Sequence, residues 1–334
     1  MDPLTQGALG AALAQATPTK VKNVGIAGVL GFASGMAADL DVFIRSSTDP
    51  LMFLEYHRHF THSLAFIPVG GFICALALYY TLGRRWQLSF FQIFVCCTLG
   101  YGTHALLDAS TSYGTMLFWP FSEDRISWSF VPVIDPLFTV PFVCLCLASA
   151  LRKTRIFAYA AMCWFFIYLS LGALQHNSAQ AMAEHIAASR GHLPVRLEVK
   201  PSFANILVWK TIYEVDERFY VDAVRVGIAP RIYDGVSVSK LDLSQDLPWL
   251  EANTQQAEDI RRFRDFSKGF VALDPQAVNR IIDVRYSFLP NEIRPLWSLE
   301  VLPNCDSNAY AIYQTHRDNP KQDFKRLWRM LTLN

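Results

Sequence analysis

Long apolar runs dominate the first half of the chain, whereas apolar and polar positions mix in the second half. A helix needs about 20 apolar residues to cross a bilayer, and four runs have this length: 63–82, 88–107, 132–151 and 156–174. A weaker run at 24–44 repeats glycine at helical spacing, which predicts a face for close contact with another helix. A short alanine-rich run at 5–16 predicts a partial or re-entrant helix.

The pattern changes after residue 174. A polar helix is predicted from Gln175 to about Arg190, with Gly191 ending it. Beyond it, a charged segment at 254–267 predicts another helix, and alternating or β-branched segments predict strands. These strands are 195–200, 205–215, 218–228 and 279–288. The predicted fold class is mainly α, a multi-span helical membrane domain followed by a small α+β extramembrane domain.

Composition supports this division into units of different character. The chain is 52% hydrophobic and only 18% charged, whereas soluble domains are about a quarter charged. Most of its charge falls in the second half. We predict a helical membrane domain at 1–174 carrying a metal site, a connecting helix at 175–192 and a soluble α+β domain at 193–334.

Charge and cysteine content exclude some classes of function. The net charge of +1 gives no reason to expect a nucleic-acid partner. Six of the seven cysteines lie in apolar runs and no Cys-x-x-Cys pair occurs, so we expect buried thiols rather than disulfides or a structural zinc site. The expected partners are the lipid bilayer and a small-molecule or lipid-like substrate, and the sequence leaves the oligomeric state open.

Basic residues in short loops predict the orientation. If each run crosses the membrane, three basic loops fall on one side, which should be the cytoplasm. The residues are Lys20, Lys22, Arg84, Arg85, Arg152, Lys153 and Arg155. The opposite, periplasmic or extracellular side then receives the 39–62 and 108–131 loops and everything after 175. The opening Met1-Asp2-Pro3 is acidic where a signal peptide is basic, so we expect this segment to be retained.

Histidines and carboxylates gather at the ends of these runs. Such groups are costly near a bilayer and often mark a functional site. Asp39 and Asp41 end one run, where both carboxylates can reach one cation or simply face water. His57 and His62 precede the next run and are stronger ligand candidates than a lone histidine. Imidazole and carboxylate together favour zinc, with manganese and iron(II) also compatible.

A third group closes the run at 88–107. His104 and Asp108 are four residues apart on one predicted helix face. They could be two ligands of one metal, or they could simply form a hydrogen bond with each other. Arg58 could hold a substrate anion or extend to the membrane interface, and His59 could contact substrate or shuttle a proton. The loop from Thr111 to Arg125 is a candidate lid, substrate platform or interfacial aromatic belt, and Asp135 is a further buried carboxylate.

These motifs, in this order, resemble those of the YdjM-like family of bacterial inner-membrane proteins, described as metal-dependent hydrolases. The resemblance covers roughly residues 1–175. It is carried by the segments Met1–Gln6, Asp39–Asp41, His57–Ser63, His104–Asp108, Thr111–Thr115, Trp119–Ser122 and Ile134–Phe138. The resemblance implies that the metal ligands are Asp39, Asp41, His57, His62, His104 and Asp108. The chain has His59, Ala38 and Gln6 where the family often has glycine, proline and histidine.

Residues and resemblance together predict a metal-dependent hydrolase in the bacterial inner membrane. A divalent metal would activate water, and the family's distant similarity to zinc phospholipase C and related nucleases favours a phosphoester or lipid-derived substrate. The alternative is a membrane transporter or metal-handling protein. A transport site would lie near the middle of the bilayer, often between inverted repeats, and the sequence shows neither feature. A non-catalytic scaffold would leave the histidines without a purpose.

Overall fold

The computed structural model describes residues 1–317 and 320–332, which form two compact units. The first comprises residues 1–43, 56–174 and 203–205, and the second comprises 44–55, 175–202 and the described part of 206–334. The segment 44–55 therefore clusters with the second unit, although it lies early in the chain. The domain boundaries at 174 and 192 stay a prediction.

The first unit is helical. Its helices are α1 (Pro3–Ala16), α2 (Val24–Gly35), α4 (Ile67–Leu78), α5 (Phe90–Ala109), α6 (Pro136–Arg152) and the first part of α7 (Ile156–Ser189). The short α3 (Met52–Tyr56) precedes α4 in the chain, but all of it except Tyr56 belongs to the second unit. Short 3₁₀ helices occupy Ala37–Phe43, Phe60–His62 and Leu64–Phe66. Four segments are long and apolar enough to cross a membrane: Val24–Phe43, Leu64–Gly83, Phe90–Ala109 and Ile156–Ser189. The predicted multi-span membrane domain is confirmed.

Helix α1 packs against α2, α5 and α6 and is buried along most of its length. Its start follows from local chemistry, because the Asp2 carboxylate accepts a hydrogen bond from the Thr5 amide at 3.0 Å and proline occupies the first turn. Gly31 and Gly35 of α2 face α1, where a Cβ on either would collide with its backbone. The close helix contact predicted from the glycine spacing is confirmed at these two positions.

Helix α6 is shorter than the run predicted at 132–151. It begins at Pro136 because the Asp135 carboxylate caps it, accepting from the amides of Leu137 and Phe138 at 3.1 and 3.4 Å. At 17 residues it falls short of the four candidate spans.

Contacts within the first unit bring its basic loops to one end. The Gln92 amide donates to the Lys20 carbonyl at 2.9 Å, and the Arg155 guanidinium donates to the Thr17 carbonyl. At the other end, the Asp2 amide donates to the Val133 carbonyl at 2.9 Å. The loops that carry Lys20 and Arg155 thus lie at the opposite end of α1 from Asp2.

The second unit contains two antiparallel four-stranded sheets. The first has the order β1 (Arg196–Pro201), β2 (Val208–Val215), β3 (Arg218–Arg225) and β4 (Arg231–Ser239). The second has β5 (Val271–Leu273), β6 (Arg280–Asp283), β7 (Trp297–Glu300) and β8 (Ile312–Thr315). Its helices include α8 (Leu243–Asp246), α9 (Gln255–Phe266) and α10 (Pro320–Thr332). The predicted α+β character is confirmed.

Two predicted elements differ in extent. The polar helix expected at 175–190 is not separate, because α7 continues to Ser189 before Gly191 adopts a φ of +73°. The strand expected at 279–288 shortens to Arg280–Asp283. Just beyond its end, the Arg285 side chain turns back to donate two hydrogen bonds to Asp283, at 2.9 and 2.6 Å.

Candidate metal centre

Three separate segments of the first unit bring histidine and aspartate side chains together. Asp39 lies in the 3₁₀ helix that follows α2, and His62 ends the 3₁₀ helix Phe60–His62. His104 and Asp108 occupy the last turns of α5, one turn apart, so that both side chains point the same way. His62, His104 and Asp108 are completely buried.

Four side-chain atoms converge on one point. Asp39 Oδ1 lies 3.5 Å from His62 Nε2 and 3.3 Å from His104 Nε2. Asp108 Oδ2 lies 3.4 Å from His62 Nε2 and 3.8 Å from His104 Nε2. All four residues offer a ligand atom within 4.8 Å of the others, so the cluster could hold a metal ion.

The hydrogen bonding of His104 leaves its Nε2 free to bind a metal ion. Nδ1 lies 2.6 Å from the carbonyl oxygen of Gly35, which can only accept, so Nδ1 carries the proton. In neutral histidine, Nε2 is then an unprotonated acceptor that faces carboxylate oxygens. Among the described residues, neither His104 Nε2 nor His62 Nε2 finds a hydrogen-bond partner. Buried polar atoms without partners are rare in native proteins, and a cation between them would satisfy all four groups.

Asp41 orients His62 from the other side of the ring. Its Oδ2 lies 3.1 Å from His62 Nδ1 and accepts hydrogen bonds from the Thr61 hydroxyl at 2.7 Å and the Arg58 amide at 3.0 Å. The Thr61 hydroxyl, which donates to Asp41, lies 3.0 Å from His62 Nδ1 and accepts a hydrogen bond from it. Nδ1 is therefore protonated, and Nε2 points to the cluster. A carboxylate behind a metal-binding histidine is a frequent arrangement that fixes the ring and raises its basicity.

The four nitrogen–oxygen distances are compatible with ligands of one small cation. Ligands about 2.1 Å from a tetrahedral zinc lie about 3.4 Å from one another, and the four nitrogen–oxygen distances span 3.3 to 3.8 Å. Two imidazoles and two carboxylates suit zinc, manganese or iron(II). The donor set and these distances therefore fit a divalent metal ion.

The electrostatics of His62 agree with a site built for a positive charge. Burial by itself would lower the pKa of His62, but the nearby carboxylates of Asp108, Asp39 and Asp41 outweigh burial and raise its pKa to about 10. In the metal-free protein, a proton on His62 thus offsets part of the negative charge of the surrounding carboxylates.

The other predicted ligands lie beside this group. His57 Nδ1 is 2.8 Å from Asp41 Oδ1, and the His57 side chain is 21% exposed. Asp39, Asp41 and His57 also have ligand atoms within 4.8 Å of one another, so Asp39 belongs to both groups. The structure therefore brings all six predicted residues together but separates them into two overlapping sets.

Arg58 is buried next to the four-residue group. Its Nε lies 2.9 Å from Asp108 Oδ2, its Nη1 donates to the Thr111 hydroxyl at 2.9 Å, and its guanidinium lies 4.9 Å from the centre of the Tyr113 ring. Its φ of +61° is the left-handed conformation. These contacts hold a positive charge against Asp108, and the side chain does not extend to a membrane interface.

His59 lies apart, in an aromatic cluster. Its ring centre is 5.7 Å from that of Tyr56, 6.0 Å from that of Phe60 and 5.8 Å from that of Trp119. Trp119 belongs to the predicted lid, which is tied down by hydrogen bonds such as that from the Met116 amide to the Arg58 carbonyl at 3.0 Å. Asp135 caps α6 and accepts a hydrogen bond from the Tyr168 hydroxyl at 2.7 Å.

Some contributors were not predicted from the sequence. Gln6 donates its side-chain amide to Asp108 Oδ1 at 2.8 Å, and the Met1 amino group contacts the same oxygen. The carbonyl of Gly35 orients His104, as described above. Gln6 was visible as a position where relatives often carry histidine, but a backbone carbonyl leaves no trace in a sequence.

Comparison with known proteins places the chain in a family. The family model described as YdjM inner membrane protein matches residues 1–179, more than half of the 334 residues. The chain belongs to the YdjM family. The matched region contains the whole histidine–aspartate cluster and extends into α7. No curated protein and no solved structure matches the chain.

Proposed function

We propose that this YdjM-family protein is a metal-dependent hydrolase of the bacterial inner membrane, with Asp39, His62, His104 and Asp108 as its metal ligands. The observation that carries the proposal is the pair of buried imidazole nitrogens that face carboxylate oxygens at 3.3–3.8 Å without a hydrogen bond. A bound divalent cation would supply Lewis acidity, which lowers the pKa of water and polarises an ester.

The chain's own residues hold the ligands and balance their charge. Asp41 and the Gly35 carbonyl set the tautomers of His62 and His104. Arg58 offsets the negative charge of Asp108. His57, paired with Asp41 and 21% exposed, is placed to exchange protons with solvent. His59 lies among the aromatic rings of Tyr56 and Trp119. We propose that it contacts the substrate there.

The positions of the ligands favour hydrolysis over transport. Asp39 and Asp108 lie in the last turns of their candidate spans, and His62 lies just before the span Leu64–Gly83. A transport site would be expected near mid-span. A site at a membrane surface suits a phosphoester or a lipid-derived substrate, which is the substrate class we propose.

We also propose that the centre faces the periplasm. The basic loops lie at the opposite end of α1 from Asp2, and the positive-inside rule assigns basic loops to the cytoplasm. The C-terminal unit follows α7 and would then lie on the periplasmic face.

One experiment tests both the reaction and the side of the membrane. Right-side-out and inside-out vesicles containing the protein receive impermeant chromogenic phosphomonoesters, phosphodiesters and carboxylic esters, and phospholipid hydrolysis is assayed in parallel. We expect chelator-sensitive hydrolysis of at least one class, restored by zinc or manganese. Hydrolysis of an impermeant substrate should occur in intact right-side-out vesicles. In inside-out vesicles, hydrolysis should occur only after detergent is added.

The variants Asp108→Asn and His104→Ala should lower the rate by about 100-fold or more, because loss of a ligand removes the metal. His185→Ala is the matched control, since His185 is exposed on α7. Hydrolysis unaffected by the ligand variants, or no hydrolysis of any class by metal-loaded protein, would contradict the proposed reaction. Activity in intact inside-out vesicles alone would contradict the proposed side.

A further inference from the structure

The segment that joins the ligand Asp39 to the ligand His62 belongs to the second unit. Residues 44–55 cluster with the C-terminal half of the chain, whereas the residues on either side of them, up to Phe43 and from Tyr56, belong to the first unit. The first boundary lies four residues after Asp39 and the second lies six residues before His62. Whatever holds this segment therefore acts on two of the three ligand-bearing parts of the chain.

The segment is anchored by burial. Leu51 and Leu54 are 1% and 2% exposed. The Phe53 ring packs edge-to-face on Tyr313 of β8, with ring centres 5.2 Å apart. These contacts attach a loop that the sequence places in the membrane half to the second sheet of the C-terminal unit.

One arginine of α9 binds the same segment from two sides. Arg262 donates two parallel hydrogen bonds to the Asp49 carboxylate, at 3.0 and 2.8 Å, and its Nε donates to Glu55 at 2.5 Å. The Arg262 side chain is 11% exposed. A bidentate arginine–carboxylate pair that is shielded from solvent holds the two side chains in a fixed orientation far better than an exposed ion pair does.

Arg262 is itself held rigidly. Its Nη1 also donates to Asp259 at 3.1 Å, and the other oxygen of Asp259 accepts from the Ala311 amide at 2.9 Å, next to β8. Asp259 is completely buried. A continuous chain of hydrogen bonds thus runs from the second sheet through Asp259 and Arg262 to Asp49 and Glu55.

We propose that Arg262 is a positioning residue for the metal centre, through which the C-terminal unit restrains the 44–55 segment and with it Asp39 and His62. This inference rests on the proposed function. The three ligand-bearing segments are far apart in sequence, so fixing the connection between two of them removes conformational freedom that metal binding would otherwise have to remove. The C-terminal unit thereby gains a role in the affinity of a site to which it contributes no ligand.

The test compares Arg262→Ala with Arg261→Ala in the full-length protein in detergent. Arg261 is the adjacent residue of α9, but its partners are Glu258 and Asp265 on the same helix. Cobalt(II) affinity is measured by competition with a chelating dye. We expect Arg262→Ala to weaken binding by about 10-fold, as is typical when support for metal ligands is lost, and Arg261→Ala to leave it unchanged.

Two further variants separate positioning from general damage to the fold. Arg262→Lys keeps the charge but loses the two-pronged contact, so its cobalt affinity should lie between those of wild type and Arg262→Ala. Asp49→Asn weakens the same contact from the loop side and should weaken cobalt binding in the same direction. Equal cobalt affinity in wild type, Arg262→Ala and Asp49→Asn would overturn the proposal, and so would an equal loss in Arg261→Ala.

Hydrogen exchange distinguishes failure of this inference from failure of the proposed function. Without any metal, Arg262→Ala should speed amide exchange within 37–62 relative to Arg261→Ala. If wild type binds no metal but this change occurs, the proposed function fails while the restraint on the segment stands. If wild type binds metal and neither exchange nor affinity responds to Arg262→Ala, the positioning role is wrong and the proposed function stands.

Discussion

At the scale of single residues, the proposed metal site depends on the protonation of His62. Burial would lower its pKa, but the carboxylates of three nearby aspartates outweigh burial and raise the pKa to about 10. The metal-free site therefore carries a proton at neutral pH, and a metal must displace it. Raising the pH towards 10 removes this competition, so metal affinity should increase.

We expect the cobalt dissociation constant to fall by up to about 10-fold for each unit of pH between about 6 and 8, because binding releases protons. Titrations across this range measure the slope, and the cobalt visible spectrum reports whether coordination is tetrahedral at each pH. A dissociation constant that does not change with pH would show that His62 is not a ligand that must lose a proton.

Single residues also show how far a sequence predicts a site. The types and spacing of His104 and Asp108 predicted two groups on one helix face, because helical periodicity is local. The division of the six candidates into a four-residue group and an Asp41–His57 pair depends on ring orientation. That orientation is set by contacts such as the one from His104 to the Gly35 carbonyl, 69 positions away in the chain.

At the scale of elements, close helix packing is what places α5 and its ligands next to α2. A Cβ on Gly100 of α5 would collide with the carbonyl oxygen of Gly31 in α2, so the two backbones approach as closely as they can. Gly102 of the same helix differs, because a Cβ there would meet Ile67 at an ordinary 3.4 Å.

We therefore expect Gly100→Ala to destabilise the protein by about 1–3 kcal/mol, the usual cost of overpacking. Gly102→Ala should be neutral or stabilising by up to about 1 kcal/mol, since alanine favours helix. Thermal unfolding in detergent measures both, and equal midpoints for the two variants would contradict the close α2–α5 contact.

The hydrophobic pattern predicted elements well where the signal was local and less well where it was not. Three of the four apolar runs of membrane length match candidate spans, whereas the run at 132–151 forms the shorter helix α6. The fourth candidate span, Val24–Phe43, comes from the weaker glycine-rich run. The end of the apolar run at residue 174 marks a change of environment and not the end of a helix. The helix predicted from Gln175 to about Arg190 is therefore present, but as the continuation of α7 to Ser189. Strands such as β5 and β7 are three and four residues long, too short for alternation to reveal them.

At the scale of the whole molecule, the sequence predicted a helical membrane domain and an α+β domain. It did not predict that residues 44–55 belong to the second unit. Arg262 and Asp49 are 213 positions apart, and no local pattern links them. The attachment of 44–55 to the second unit follows from such long-range contacts. We infer that the C-terminal half supports the metal centre, which makes a protein lacking this half a poor substitute for the full chain.

The most direct test of the central claim is the metal content of the purified full-length protein by elemental analysis. After equilibration with zinc and removal of excess metal, we expect about one tightly bound ion per chain. His104→Ala and Asp108→Asn should retain far less than one, and His185→Ala should match wild type. Metal absent from the wild type, or present at equal levels in the ligand variants, would contradict the assignment of Asp39, His62, His104 and Asp108 as a metal centre.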